Sequence, residues 1–111
     1  MFKTIPSHIM AQLRSKNARS HKSAINFRAD DYKNATELEY TLVRYFLNEL
    51  NIKQYRIISQ TLMVDRFYKV FDLIEVKVNH STVMKVWFNI SETFGRYDPH
   101  NHLTRSMYLG Y

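Results

Sequence analysis

The chain of 111 residues is long enough for one domain with a single core, and its contents of 45% apolar and 14% aromatic residues predict a folded protein. The absence of cysteine excludes disulfides, thiolate zinc sites and cysteine nucleophiles, and it favours a reducing, cytoplasmic location. The formal net charge of +6 favours an acidic partner, either nucleic acid or an acidic protein surface.

The N-terminal part of the chain predicts one short helix and one short strand. Residues 7–17 have helical spacing with Ser7 as the N-cap, and one apolar side is formed by Ile9, Met10 and Leu13. Residues 14–35 are mostly polar. Within them Ile25 and Phe27 alternate with polar residues, which predicts a short edge strand.

The net positive charge is confined to this N-terminal part. Six of the 16 basic residues precede Asp30 and no acidic residue does, while the other ten basic residues balance the ten acidic ones. We interpret residues 1–35 as a basic arm and residues 36–111 as the core of a single domain. Because a cationic segment repels itself until it meets anions, we expect five side chains of the arm to contact the partner: Arg14, Lys16, Arg19, Lys22 and Arg28.

The clearest helix of the sequence spans residues 36–50. Thr36 and Glu39 form a capping box at its start, and Asn34 with Glu37 is the alternative capping box. A wide apolar face follows, made of Leu38, Leu42, Val43, Phe46, Leu47 and Leu50. Its position on the helical wheel places Glu39 within this apolar face. We expect its carboxylate to interact favourably with the helix dipole and to point to solvent.

Three strands are predicted after the helix from their β-branched residues and their period of two: 54–61, 67–79 and 82–91. A three-residue loop, Asn79 to Ser81, would pair Val76 with Met84 and Ile74 with Val86, so that the apolar residues share one face. The tail 103–111 favours a further short strand. The fold class that follows is α+β, with one or two helices packed on a three- to four-stranded antiparallel sheet.

The same register gives the sheet an outer face that is half aromatic and half charged. It carries Phe71, Leu73, Glu75, Lys77, Lys85 and Trp87, with Glu75 opposite Lys85. We expect Phe71, Trp87, Lys77 and Lys85 to contribute to binding, either by stacking bases or as a protein-binding hot spot. The alternative is that Trp87 belongs to the core beneath the basic arm or the C-terminal tail.

A short acidic and basic pattern on the second strand suggests an enzymatic alternative. Residues 71–77 contain Glu75-Val76-Lys77, which resembles the Glu-x-Lys element of the PD-(D/E)xK nucleases. The resemblance implies that Glu75 binds Mg²⁺ together with Asp72 or Asp65, that Lys77 activates water, and that Glu39 is a further acid on the helix. The other interpretation, which we favour because Asp72 and Glu75 point to opposite faces of an extended strand, is that Glu75 and Lys77 solvate the outer face.

Other chemistry-bearing residues do not form a convergent set in the sequence. His100 and His102 could ligate a metal, but no third ligand is evident, and we expect no metal or cofactor. Only Gly95 and Gly110 are present, so no glycine-rich phosphate loop exists. The N-terminus has no apolar segment typical of a signal peptide and no apolar stretch approaches a membrane span, so we expect no membrane partner.

The sequence therefore favours a small basic binding protein over an enzyme. The leading hypothesis is a module that acts on nucleic acid or on a protein complex that handles nucleic acid. The first alternative is an inhibitor or adaptor, of the kind phages use, that docks on a host protein. The second alternative is the Mg²⁺-dependent nuclease of PD-(D/E)xK type.

Overall fold

The computed structural model describes residues 5–93 with their side chains and the backbone of residues 106–108. The α-helices are α1 (Ser7–Gln12) and α2 (Ala35–Glu49), and short 3₁₀ helices lie at His21–Ser23 and Ala29–Asn34. The strands are β1 (Ile25–Asn26), β2 (Arg56–Val64), β3 (Val70–Lys77), β4 (Val83–Asn89) and β5 (Ser106–Tyr108). The predicted α+β fold is confirmed. Within the described residues, no helix is long and apolar enough to cross a membrane.

The strands form one sheet in the order β1-β4-β3-β2-β5. Its centre is the predicted antiparallel set, in which β3 pairs with both β2 and β4. The two short edge strands pair in parallel, β1 with β4 and β5 with β2. The sheet is therefore mixed, with five strands where three or four antiparallel ones were predicted. The strands predicted near residue 25 and in the C-terminal tail are its edges.

The predicted register of the β3–β4 hairpin is confirmed. Val76 lies opposite Met84 and Ile74 opposite Val86, as a three-residue loop requires. The Val78 N–H donates to the Thr82 carbonyl at 3.1 Å and closes this loop. The polar residues Asn79 to Ser81 therefore turn the chain without glycine, and the Asn79 side chain accepts a hydrogen bond from the Ser81 N–H at 2.9 Å.

The main core lies between one face of the sheet and both α-helices. Helix α2 contributes Leu38, Leu42, Val43 and Leu47 to it, as its apolar spacing predicts. The sheet contributes Ile74, Val76, Met84, Val86 and Phe88. Ile9, Ile25 and Phe27 complete this cluster and are at most 1% exposed. Residues 5–27 are thus part of the folded domain, whereas the sequence suggested an arm attached to it.

Helix α1 is shorter than predicted, and its last residue, Gln12, bonds to the edge of the sheet. The helix ends at Gln12 rather than near residue 17, and Pro6 rather than Ser7 is its N-cap. The Gln12 amide accepts a hydrogen bond from the Asn26 N–H at 2.7 Å and donates to the Asn26 carbonyl at 2.9 Å. This side chain satisfies the outer edge of β1 as a neighbouring strand would, and the chain leaves the helix beside it.

The start of α2 also differs from the prediction. Its N-cap is Asn34, the position of the alternative capping box rather than Thr36, and no side-chain capping bond forms there. Glu39 does not point to solvent, because it is only 1% exposed. It faces the sheet, where the Gln60 amide donates to its carboxyl at 3.3 Å. The angular position of Glu39 within the apolar face decided its orientation, and the helix dipole did not.

Candidate functional site

Part of the basic arm covers the aromatic end of the outer face of the sheet. The Trp87 N–H donates to the Ala18 carbonyl at 2.8 Å, and the His21 ring lies edge-on to the rings of Phe71 and Trp87, with 5.9 Å between centroids in each pair. Phe71 is 2% and Trp87 7% exposed, in a cluster with Ala24 and Leu73. These two rings cannot serve as the stacking surface that the sequence predicted. The structure instead agrees with the alternative prediction, in which Trp87 is buried beneath the basic arm.

The covering segment forms one wall of an open cleft of about 400 Å³. The opposite wall is the turn that joins β2 to β3. Four basic side chains line this basic cleft, Lys16 and Lys22 from the arm and Arg66 and Lys69 from the turn. Its other side chains include Asn26, Asn89, His21 and Phe67. The fold therefore gathers positive charge from two parts of the chain that lie far apart in sequence.

The positive charge of the basic cleft is not neutralised by the acid beside it. Asp65 is the only acidic residue among those that line it. Its carboxylate is buried, and one oxygen accepts hydrogen bonds from the N–H groups of Phe67 and Lys69, both at 2.9 Å. No carboxylate of residues 5–93 forms an ion pair with any of the four cations. The cleft thus offers several ammonium and guanidinium groups to an anion.

The wall formed by the turn was missed by the sequence analysis. The period of two and the β-branched residues place residues 67–69 in the second predicted strand, yet β3 begins only at Val70. Asp65 makes the turn, because its side chain accepts the two N–H bonds and its carbonyl accepts the Tyr68 N–H at 3.0 Å. Tyr68 takes the left-handed conformation, with φ of 63°, that glycine or asparagine usually occupies. The signal available in the sequence was Asp65 itself.

The tip of this turn presents two aromatic side chains to solvent. Phe67 is 66% exposed and Tyr68 80% exposed. The Arg66 guanidinium lies 4.9 Å from the centroid of the Phe67 ring, within the range of a cation–π contact. Large aromatic side chains at such exposure contribute little to the core. They instead place flat apolar surfaces beside the cations of the basic cleft.

The seven basic residues predicted to bind divide into three groups, and the buried ring of Phe71 lines the basic cleft. Lys16 and Lys22 line the basic cleft as well. Three further cations of the predicted set are exposed but do not line it: Arg14, Arg19 and Arg28. Lys77 and Lys85 lie further along the outer face, where Lys85 is opposite Glu75 in register. Contact of all seven residues with a partner stays a prediction, and the structure adds Arg66, Phe67 and Lys69 as candidates.

The acids of the nuclease-like pattern do not converge on one site, because Glu39 and Asp72 lie together on the helix side of the sheet and Glu75 lies on the outer side. Glu75 accepts a hydrogen bond from the Ser59 hydroxyl at 2.9 Å on the outer side of the sheet, the side of Lys77. Asp72 lies on the helix side, where it hydrogen-bonds to Glu39. Asp65 is at the far end of β2 in the turn. No group of three or more potential metal-binding residues occurs within the described residues, and His100 and His102 lie outside them.

The Glu39 carboxyl is buried beside Asp72 on the helix side of the sheet. Burial raises the pKa of the Glu39 carboxyl well above its usual value, and the hydrogen bond and negative charge of Asp72 act in the same direction. Gln60 donates to Glu39 and accepts from the Tyr40 hydroxyl at 2.8 Å. The Glu39 carboxyl is thus held within a polar network on the helix side of the sheet.

Comparison of the chain with known protein families, with characterised proteins and with solved structures found no match. The function that follows is therefore argued from the geometry of the basic cleft.

Proposed function

We propose that the chain is a non-enzymatic module that binds nucleic acid through the phosphates of its backbone. The observation that carries the proposal is the convergence of Lys16, Lys22, Arg66 and Lys69 on one cleft with no ion pair to a carboxylate of residues 5–93. Mobile ammonium and planar guanidinium groups are the side chains that contact phosphate oxygens most often. Four such groups favour a polyanion over a single small anion, because each can neutralise a separate phosphate.

The rest of the basic arm supports the same proposal. Arg14 and Arg19 are exposed on the chain segments that flank Lys16, and they extend the positive surface beyond the basic cleft. A nucleic acid longer than the cleft would meet these cations as well. Long-range attraction by such a surface raises the rate of association with a polyanion. The acidic surface of another protein is the competing ligand, and the dependence of affinity on salt separates the two.

The experiment compares two pairs of lysines that carry the same charge. Fluorescence anisotropy with a labelled oligonucleotide measures affinity over a range of salt concentrations for wild type, for Lys22→Ala/Lys69→Ala and for Lys33→Ala/Lys53→Ala. Lys33 and Lys53 are exposed and lie outside the basic cleft. The wild type should show a slope of log affinity against log salt of about −3, from about −0.7 to −0.9 per phosphate contact.

The double substitution in the basic cleft should weaken binding at least tenfold and reduce this slope by about 1.5, because two phosphate contacts are lost. The control pair should change affinity less than about threefold. Equal effects of the two pairs would show that only the overall charge matters and would overturn the proposed site. Absence of binding to any oligonucleotide at low salt would refute the function itself and favour an acidic protein as the ligand.

A further inference from the structure

The turn that forms one wall of the basic cleft contains two features that folding does not explain. Phe67 and Tyr68 are 66% and 80% exposed, so they bury little apolar surface. Tyr68 also adopts a left-handed backbone, with φ of 63°, which costs free energy for any residue that has a Cβ atom. Strained backbone that persists in a fold is typical of functional positions.

The backbone conformation of the turn is held from within before any ligand arrives. The buried Asp65 carboxylate accepts the N–H groups of Phe67 and Lys69, and the Asp65 N–H donates to the Lys69 carbonyl at 3.0 Å. These bonds fix the backbone on both sides of Tyr68. A turn whose backbone is already fixed loses less freedom on binding than a mobile one, which favours affinity.

The chemistry beside the tip indicates which ligand the two rings would contact. Phe67 lines the basic cleft together with Lys69 and Lys22, and the Arg66 guanidinium lies 4.9 Å from its ring centroid. Aromatic rings and guanidinium planes beside a cationic groove are the elements on which unpaired bases stack, while the cations hold the phosphates. In a duplex the faces of the bases are covered by their neighbours and are closed to such stacking.

We propose that the basic cleft selects single-stranded nucleic acid, with its phosphates on the lysines and with bases stacked on Phe67 and Tyr68. This inference rests on the proposed function and specifies its ligand. Stacking does not depend on base sequence, since every base has a flat face, so the preference is for unpaired strands rather than for a sequence. Stacking and phosphate contacts are available in DNA and RNA alike.

The test uses labelled oligothymidylate and oligouridylate of about 12 nucleotides and a duplex of the same length, all at one salt concentration. The variants are Phe67→Ala and Tyr68→Asn, with Tyr55→Asn as the control. Asparagine tolerates the left-handed conformation, so Tyr68→Asn removes the ring without disturbing the turn. Tyr55 is 37% exposed and does not line the basic cleft.

The wild type should bind at least one single strand about tenfold or more tighter than the duplex. Phe67→Ala and Tyr68→Asn should each weaken that binding about tenfold, with little change in duplex affinity and in the salt slope, while Tyr55→Asn should behave as wild type.

Two results would overturn the inference in distinguishable ways. If single strands and duplex bind equally and the aromatic variants behave as wild type, while Lys22→Ala/Lys69→Ala still loses affinity, the selection of single strands is wrong and the proposed function stands. If the wild type binds none of the three oligonucleotides, the proposed function fails and the inference with it. Thermal melting of each variant confirms that the loss of a ring has not unfolded the domain.

Discussion

The amide of Gln12 and the backbone of Asn26 exchange two hydrogen bonds, at 2.7 Å and 2.9 Å, and so fasten α1 to the edge of the sheet. Strand β1 is only two residues long, and its other edge pairs with β4. The side chain of Gln12 thus satisfies the backbone hydrogen bonds on the free edge of β1, a strand of two residues. Because Asn26 lines the basic cleft, this contact also fixes part of the cleft wall.

Gln12→Ala should destabilise the domain by about 1–3 kcal/mol, because it leaves the half-buried N–H and C=O groups of Asn26 without these partners. Unfolding in urea measures the loss. Gln54→Ala, at an exposed position after α2, is the matched control and should change stability by less than about 0.5 kcal/mol. Equal stability of the two variants would show that the paired amide contributes nothing.

Phe88→Ala should destabilise the domain by about 3–5 kcal/mol, because the ring is fully buried and packs 5.5 Å from the ring of Phe27. Phe67→Ala removes the same side chain from a position that is 66% exposed and should change stability by less than about 1 kcal/mol. Chemical unfolding of the two variants tests the assignment of inner and outer positions. A large loss for Phe67→Ala would contradict it.

Glu39 should make the domain less stable as the pH rises. Its pKa in the folded chain is raised above that in the unfolded chain, so the folded state keeps a proton that the unfolded state releases near pH 4.3. The stability from this group is fully present below about pH 4.3 and is lost as the pH rises through the raised value.

Glu39→Gln removes this titration and should reduce the loss of stability with rising pH. The free energy of unfolding of the variant should therefore exceed that of wild type most at high pH. Urea unfolding at about pH 5 and about pH 8 measures the difference, and the titration of other groups cancels between the two proteins. Parallel changes with pH in wild type and variant would show that Glu39 does not hold its proton in the fold.

The sequence identified the parts of the fold that depend on local patterns. Helix α2 and the β3–β4 register could be predicted because periodicity and loop length fix which residues face the core. The parallel pairing of β1 with β4 could not, because Ile25 and Phe88 are brought together only by the complete fold. Glu39 was misplaced because a local rule about the helix dipole competed with its position facing the sheet.

Two of the four basic residues that line the basic cleft could be predicted from the sequence. Lys16 and Lys22 belong to a run of uncompensated charge that composition reveals, whereas Arg66 and Lys69 lie in a balanced region and gain significance only from their position across the cleft. The turn between them was hidden because Tyr68 occupies a conformation that propensity assigns to other residues. A site whose construction conflicts with local preference is the hardest kind to predict from sequence.

Trp87 is the single tryptophan of the chain, and its place beneath the basic arm makes it an intrinsic fluorophore for the binding site. Its ring contacts His21 and Phe71, at centroid distances of 5.9 Å and 6.0 Å, and both of these residues line the basic cleft. Lifting of the covering segment would admit water and shift its emission to longer wavelength. Occupation of the cleft with the segment in place would alter the intensity of the Trp87 emission without that shift. A single emission spectrum therefore distinguishes a ligand that binds in the cleft from one that displaces the covering segment.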